Sequence, residues 1–389
     1  MSCDKLAELF KDSSVDSYHP LLGHIKIYKK RDENLGRALL TDYNIVTPNM
    51  PKIPYFTRFK SKYEDFDVEI IPELHPDLKK LYGRKAYITM KYDGTNILFY
   101  RVGDKVIPKT RLNAIASRKV LNALSDNRFP WDVINSLVMD DFVPVIELWG
   151  TDVVEKYNLL NGGTNLKKFQ DLFKYNSYNA TVLMVFKADY DNCNYELLPP
   201  KKAERVINGY SDGSIDFAYV LDTVRVTYKN LYTFMKFFED VNRHFGSNVF
   251  EGAVAHVASR KYGYKMFKIK PFNIMKKDVM VNMFVIPVER IQLEMEKIFD
   301  SFDIIIIAQK PEKYFNMLIE ELESDYRNED PDFHFVKRQL KYLWRAFTKR
   351  ITNELIHTFP NITIDFMVKH RFDGRIIGEI KRRVNGEKN

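Results

Sequence analysis

At 389 residues the chain has room for two or three domains of about 150 residues each. Its composition, 45% hydrophobic and 14% aromatic, is that of a soluble globular protein, and two cysteines, Cys3 and Cys193, exclude a disulfide framework or a cysteine-based zinc site. A net charge of +8 and a pI near 9.0 suit a polyanionic partner without requiring one.

The N-terminal segment MSCDKLAELFKD is charged and lacks the apolar core of a signal peptide. The longest apolar run, FDIIIIAQ at 302–309, is far too short to span a membrane, so a soluble cytoplasmic protein is expected. Residues 1–80 mix short β-like runs with prolines and read as a β-rich N-terminal module. Residues 81–282 alternate β-type runs (AYITMKY, ILFYRV, FVPVIELW, ATVLMVFKA, NVFEGAVAHV and YKMFKIKPF) with helical spacing at 163–176 and 229–245. Within them, YITMKYDGTNILFYR at 87–101 reads as a hairpin, two apolar runs around an Asp-Gly turn. Strands and helices without regular βαβ alternation predict an α+β, antiparallel-sheet domain. From 283 to 389 the pattern is charged, periodic and helical, with Pro287 and Pro311 near helix starts, and the boundary falls between 275 and 290.

The chain has no P-loop and no dinucleotide fingerprint, and its eight histidines show no paired ligand spacing. What remains is Lys91, just before the Asp-Gly turn. Strand alternation puts Ala86, Ile88 and Met90 on one face and Tyr87, Thr89 and Lys91 on the other. Alone, this is a solvent-facing lysine. A near-copy, HRFDGR at 370–375, carries Arg371 instead; a guanidinium stays protonated, so Arg371 reads as an ordinary surface base. Downstream, VIELWG ends a strand with Glu147, a carboxylate able to accept from ribose hydroxyls, and VLMVFKADY offers Phe186, able to stack on a purine or fill a core. VFEGAVAH places Glu251 in an apolar strand, where a lone carboxylate is costly unless paired or metal-bound. KMFKIKPF puts Lys268 and Lys270 on one face, tolerable around a polyphosphate or on a solvated strand.

Taken in order across 91–270, K-x-D-G, E-L-x-G, an aromatic strand, E-G-x-V and K-x-K resemble the covalent nucleotidyltransferases, the superfamily of ATP-dependent ligases and mRNA capping enzymes. KYDGTN, with Asn96 two residues past the glycine, is similar to RNA ligases. The helical tail and MPKIPYFTRF at 50–59 look like the archaeal-type ATP-dependent RNA ligases, homodimers that circularise single-stranded RNA. KTRLNAI keeps Thr110-Arg111 but lacks the following glycines, and Ile146 stands where a glycine often precedes the glutamate.

The resemblance implies an ATP-grasp-like adenylation domain at 81–282 and a dimerising all-α domain at 283–389. It implies that Lys91 forms a lysyl-AMP phosphoramidate and that Lys268 and Lys270 stabilise phosphate charge and depress the Lys91 pKa. Thr89, Asn96, Arg111, Glu147 and Phe186 would bind the nucleotide, with Glu251 assisting the metal. ATP and Mg2+, with Mn2+ as substitute, are the implied cofactors, and RNA with 5′-phosphate and 3′-hydroxyl ends the partner. A DNA ligase, a capping guanylyltransferase or a catalytically degenerate RNA-binding protein are the alternatives.

Overall fold

The computed structural model describes residues 8–386 apart from 12, 31–33, 63–64, 160–162, 285 and 328–333. The chain divides into two compact units, Met1–Arg58 with Pro72–Phe272, and Phe59–Ile71 with Asn273–Asn389. Of the expected N-terminal module at 1–80, residues 1–58 and 72–80 fall in the first unit and 59–71 in the second.

The first unit opens with a four-stranded antiparallel sheet of β1 (Ser14–His19), β2 (Gly23–Tyr28), β3 (Ala38–Leu40) and β4 (Ile45–Val46). A two-stranded sheet of β5 (Thr57–Lys62) and β6 (Asp67–Leu74) follows in the chain and falls mostly in the second unit. Two further sheets build the rest of the first unit. One contains β7 (Lys85–Met90), β14 (Val220–Arg225), β15 (Ala253–Ser259) and β16 (Gly263–Ile269), in the order β14-β7-β15-β16. The other contains β8 (Thr95–Val102), β9 (Lys105–Lys109), β10 (Phe142–Trp149), β11 (Asn179–Asp189) and β12 (Asn194–Leu197), in the order β12-β11-β10-β8-β9. A short β13 (Asp216–Phe217) pairs parallel with β11, and the other strand pairings of this sheet are antiparallel.

This larger sheet is buried on both faces, which is why its strands read as unbroken apolar runs. Ile97, Phe99, Ile146 and Leu148 face the helices Arg118–Leu124, Trp131–Met139, Thr151–Tyr157 and Pro200–Tyr210. Leu98, Tyr100, Val143 and Val145 face the opposite way, with Leu22, Ile25 and Leu40 of the N-terminal sheet and Met266 of β16. Each such fully buried side chain contributes about 1.5–3 kcal/mol of transfer free energy.

The expected hairpin at 87–101 does not form. β7 and β8 lie in different sheets, and the Asp-Gly pair is the crossover between them. The Lys91 amide donates to the Gly252 carbonyl at 3.0 Å, and the chain then leaves the sheet. Tyr92 is buried against Trp149, with centroids 5.0 Å apart, and packs edge-on to Phe169 and Tyr175. Asp93 accepts from the Thr164 amide at 3.0 Å and its hydroxyl at 2.6 Å. A Cβ on Gly94 would lie 2.3 Å from the Leu148 carbonyl oxygen, so only glycine lets β8 start against β10. Anchoring of Tyr92 and Asp93 overrides the local turn preference.

In the second unit the expected helices stand at Val288–Ser301, Pro311–Arg327 and Lys337–Thr358, and the apolar run becomes the helix Ile304–Gln309, capped by Asp303. Their core holds Ile291, Leu318, Leu343, Phe347 and Leu355, with Phe315 edge-on to Trp344 at 5.0 Å. Residues 59–71 join it through Asp67 with Lys276 (2.7 Å), Asp65 with Lys349, and Phe66 against Phe284. Arg371 is exposed, as expected. Among the described residues no helix is long and apolar enough to cross a membrane. Cys3 lies outside the described residues, and Cys193 is disulfide-bonded.

Candidate active site

Three strands of the smaller sheet set the site by register. Thr89, Val254 and Lys268 lie opposite one another across β7, β15 and β16, and all three line one cavity. Where this pairing runs out, the Lys91 amide meets the Gly252 carbonyl, with Lys270 just past the end of β16. Glu251 precedes β15 and lies between the two lysines. Its Oε2 is 2.5 Å from Lys91 Nζ and its Oε1 2.7 Å from Lys270 Nζ. The helix Tyr228–His244 holds Glu251 there: Asn242 accepts from the Phe250 amide at 2.8 Å and donates to its carbonyl at 3.0 Å. Gly252 has a φ of +129°, and a Cβ there would lie 2.1 Å from the Ile269 carbonyl oxygen, so the turn requires glycine.

The opposite wall comes from the larger sheet. Asn96 of β8 and Glu147 of β10 are direct cross-strand partners, and the Asn96 amide donates to the Glu147 carboxylate. Both line the cavity with Lys91. A bulge between Val145 and Ile146 leaves Leu183 of β11 as the extra residue, and Leu183 and Met184 both reach the cavity. The segment before β5 closes the cavity: Ile53 lines it, Pro54 accepts from the Lys268 amide at 2.7 Å, and Phe56 donates to the Lys268 carbonyl at 3.0 Å.

Of the residues singled out in the sequence, Thr89, Lys91, Asn96, Glu147 and Lys268 share this cavity, and Glu251 and Lys270 support Lys91. Two do not join them. Phe186 packs in the core with Val143 and Ala188, beyond the bulge that turns Leu183 and Met184 inward. Arg111 lies in the turn after β9, its carbonyl against Gly36, away from the cavity. One cavity residue, His256, went unread because a single histidine in an apolar strand carries no spacing signal.

The expectation of a depressed Lys91 is reversed. Burial alone would lower its pKa, but the carboxylates of Glu251, Glu147 and Asp93 outweigh burial and hold it above the ordinary lysine value. Burial pushes Glu147 up to about 8 against the pull of Lys91. It opposes ionisation of Glu251 too, yet the Lys91 and Lys270 ammoniums keep that carboxyl below its usual range. A lysine with a lowered value does exist elsewhere: Lys109, fully buried, is brought to about 7 by burial and by Arg37.

Glu251 does not fit the role of a protein-held metal ligand, since ammonium groups occupy both its oxygens. Among the described residues no three His, Cys, Asp or Glu side chains gather as a metal site. The site offers instead a lysine–carboxylate–lysine bridge at the mouth of an apolar slot, a place for an anion with a flat apolar group attached.

No family model matches the sequence, and no curated protein matches it. Solved structures similar to the chain include an archaeal ATP-dependent RNA ligase in two crystal forms. Form 1 shares 13% identity over 91% of this chain and 77% of that one, at a TM-score of 0.45. Form 2 shares 12% over 98% and 95%, also at 0.45. A chain described as an ATP-dependent DNA ligase from Aquifex aeolicus shares 15% over 92% and 80%, at 0.43.

Proposed function

We propose that this protein is an ATP-dependent polynucleotide ligase that works through a nucleotidyl group on Lys91, and that its polynucleotide is RNA. The observation that carries the proposal is the convergence of Lys91, Glu251 and Lys270 beside the Asn96–Glu147 pair at one cavity. Unlike charges this close, partly desolvated and faced by a polar pair from a second sheet, mark a site built for chemistry rather than a solvated strand face. Asn96, in the RNA-ligase-like position of KYDGTN, favours RNA over DNA.

The reaction follows from the pairings. One ammonium proton of Lys91 passes to Glu251, its nearest base, and the freed amine attacks the α-phosphorus of ATP. The Nζ–P bond forms as the bond from the α-phosphorus to its bridging oxygen breaks. Pyrophosphate leaves with the electron pair, and Nζ releases its second proton to solvent as the phosphoramidate forms. Lys268 and Lys270 offset the charge on the phosphate oxygens. Asn96 and Glu147 are placed to meet the sugar. A 5′-phosphate oxygen of RNA then takes AMP from Lys91, and a 3′-hydroxyl displaces AMP to seal the strand. The divalent ion belongs to the substrate, carried in on the phosphates of ATP. Association of two chains through the helical region, and closure of one strand into a circle, belong to the same proposal.

Incubation with magnesium and α-labelled ATP or GTP, followed by a denaturing gel, tests it. Label from ATP that is absent in Lys91→Ala supports the ligase. Label from GTP alone would redirect the assignment to a capping enzyme, and an unlabelled wild type would remove the enzyme altogether. Sealing of 5′-phosphate RNA against nicked DNA then decides the polymer, and sedimentation of the full chain decides the dimer.

A further inference from the structure

The cavity's polar groups fall into two sets. Lys91, Lys268, Asn96 and Glu147 belong to the phosphate and sugar end. Apart from these, the polar groups among the described lining residues are Thr89 and His256, set among Ile53, Met90, Leu183, Met184, Val254 and Met266. Thr89 lies two residues before Lys91 on an extended strand, about 7 Å back along the slot. If Lys91 meets the α-phosphorus, as proposed above, the apolar slot holds the nucleobase and Thr89 meets its edge.

His256 cannot read that edge itself, because both its ring nitrogens are taken. Nδ1 is 2.5 Å from the Tyr264 hydroxyl, and Nε2 is 2.8 Å from Thr89 Oγ1. The ring is 3% exposed, and burial brings its pKa down to about 3, so it stays neutral with one donor and one acceptor. Two proton orders are available. If Nδ1 carried the proton, the Tyr264 O–H would have no acceptor among the described residues. If Tyr264 donates to Nδ1, then Nε2–H donates to Thr89 Oγ1, and the Thr89 O–H reaches only the Val254 carbonyl, at the outer limit of 3.5 Å. The second order gives every donor an acceptor and leaves the threonine with one loosely held proton.

We infer that Tyr264 and His256 form a proton-ordered relay that fixes Thr89 as a hydrogen-bond donor, so that the pocket selects a nucleobase presenting a ring-nitrogen acceptor at that point. Thr89 is then the group that reads the base. His256 and Tyr264 are positioning residues that decide which way its hydroxyl faces.

The test is labelling of Lys91 by ATP and by its 1-deaza, 3-deaza and 7-deaza analogues, in each of which C–H replaces one ring nitrogen. In the wild type, one analogue should lose about tenfold in kcat/KM, the worth of one hydrogen bond, through KM rather than kcat. Thr89→Val and Tyr264→Phe should abolish that difference between ATP and the analogue, and Thr89→Ser, which keeps the hydroxyl, should restore it. A wild type that takes all four nucleotides equally overturns the inference, as does an analogue penalty that survives in Thr89→Val. A penalty lost in Thr89→Val but kept in Tyr264→Phe would overturn the relay. Failure of ATP itself to label the wild type would instead bring down the nucleotidyl transfer, and this inference with it.

Discussion

The first unit sets two lysines at the ends of strands and shifts their ionisation in opposite directions. Lys91, past the end of β7, has three carboxylates for company and is held above the ordinary lysine value. Lys109, at the end of β9, is fully buried and donates to the Gly36 carbonyl at 3.0 Å and the Pro48 carbonyl at 3.3 Å, with Arg37 nearby. Neutral carbonyls cannot offset a buried charge, so its value falls to about 7. Burial lowers both lysines; neighbouring carboxylates decide which one stays charged. In the proposed reaction the nucleophile is therefore not the depressed amine, and Lys91 gives its proton to the carboxylate that also holds it in place.

The largest expected effect separates the two residues outright. Lys91→Ala should abolish nucleotide labelling, while Lys109→Met should label like wild type on the same gel. Next comes Glu251→Gln, which removes the proton acceptor and uncouples Lys91 from Lys270. Labelling should fall by about 10²–10³ at pH 7 and recover in part as pH rises, because the amine must then lose its proton to solvent. Wild-type rates in this variant would remove Glu251 from the chemistry.

Stability should show the converse. Lys109→Met leaves the Gly36 and Pro48 carbonyls without their donor and should cost about 1–3 kcal/mol by urea denaturation. Between pH 7 and 10.5 the unfolded chain binds more protons at this lysine than the folded one, so the wild type should gain stability as pH rises. The variant should lack that rise. The smallest effect is at Glu147, whose folded value of about 8 lies above its ordinary 4.5. The stability it confers is complete below 4.5 and is lost as pH rises through about 8, at no more than about 1.4 kcal/mol per pH unit. Glu147→Gln should flatten that slope in the same denaturation series.

Much of the site could be read in the sequence because its residues sit on strands. Alternation put Thr89 with Lys91, and Lys268 with Lys270, on common faces; Thr89, Lys91 and Lys268 line the cavity, and Lys270 reaches Glu251 behind Lys91. The helices after 283 were legible from their long amphipathic period. Three things were not. The Asp-Gly turn looked like a hairpin because the pull of Trp149 on Tyr92 and of Thr164 on Asp93 comes from residues 57 and 71 positions further along the chain. The protonation of Lys91 was misjudged because lysines 268 and 270 were weighed without the carboxylates that converge on it. Leu183 and Met184 give no sign of reaching the cavity, because a bulge leaves no trace in the apolar pattern that makes Phe186 stand out.

That bulge has a consequence for how related chains align. Val182 pairs with Ile146 and Met184 with Val145, so β11 is already in phase on both sides of Leu183. Excising Leu183 would let the ladder close up without moving any other residue to the wrong face. The residue adds nothing to the sheet and one wall to the cavity. A related chain with a one-residue gap opposite position 183 would keep this sheet and differ in the shape of the cavity.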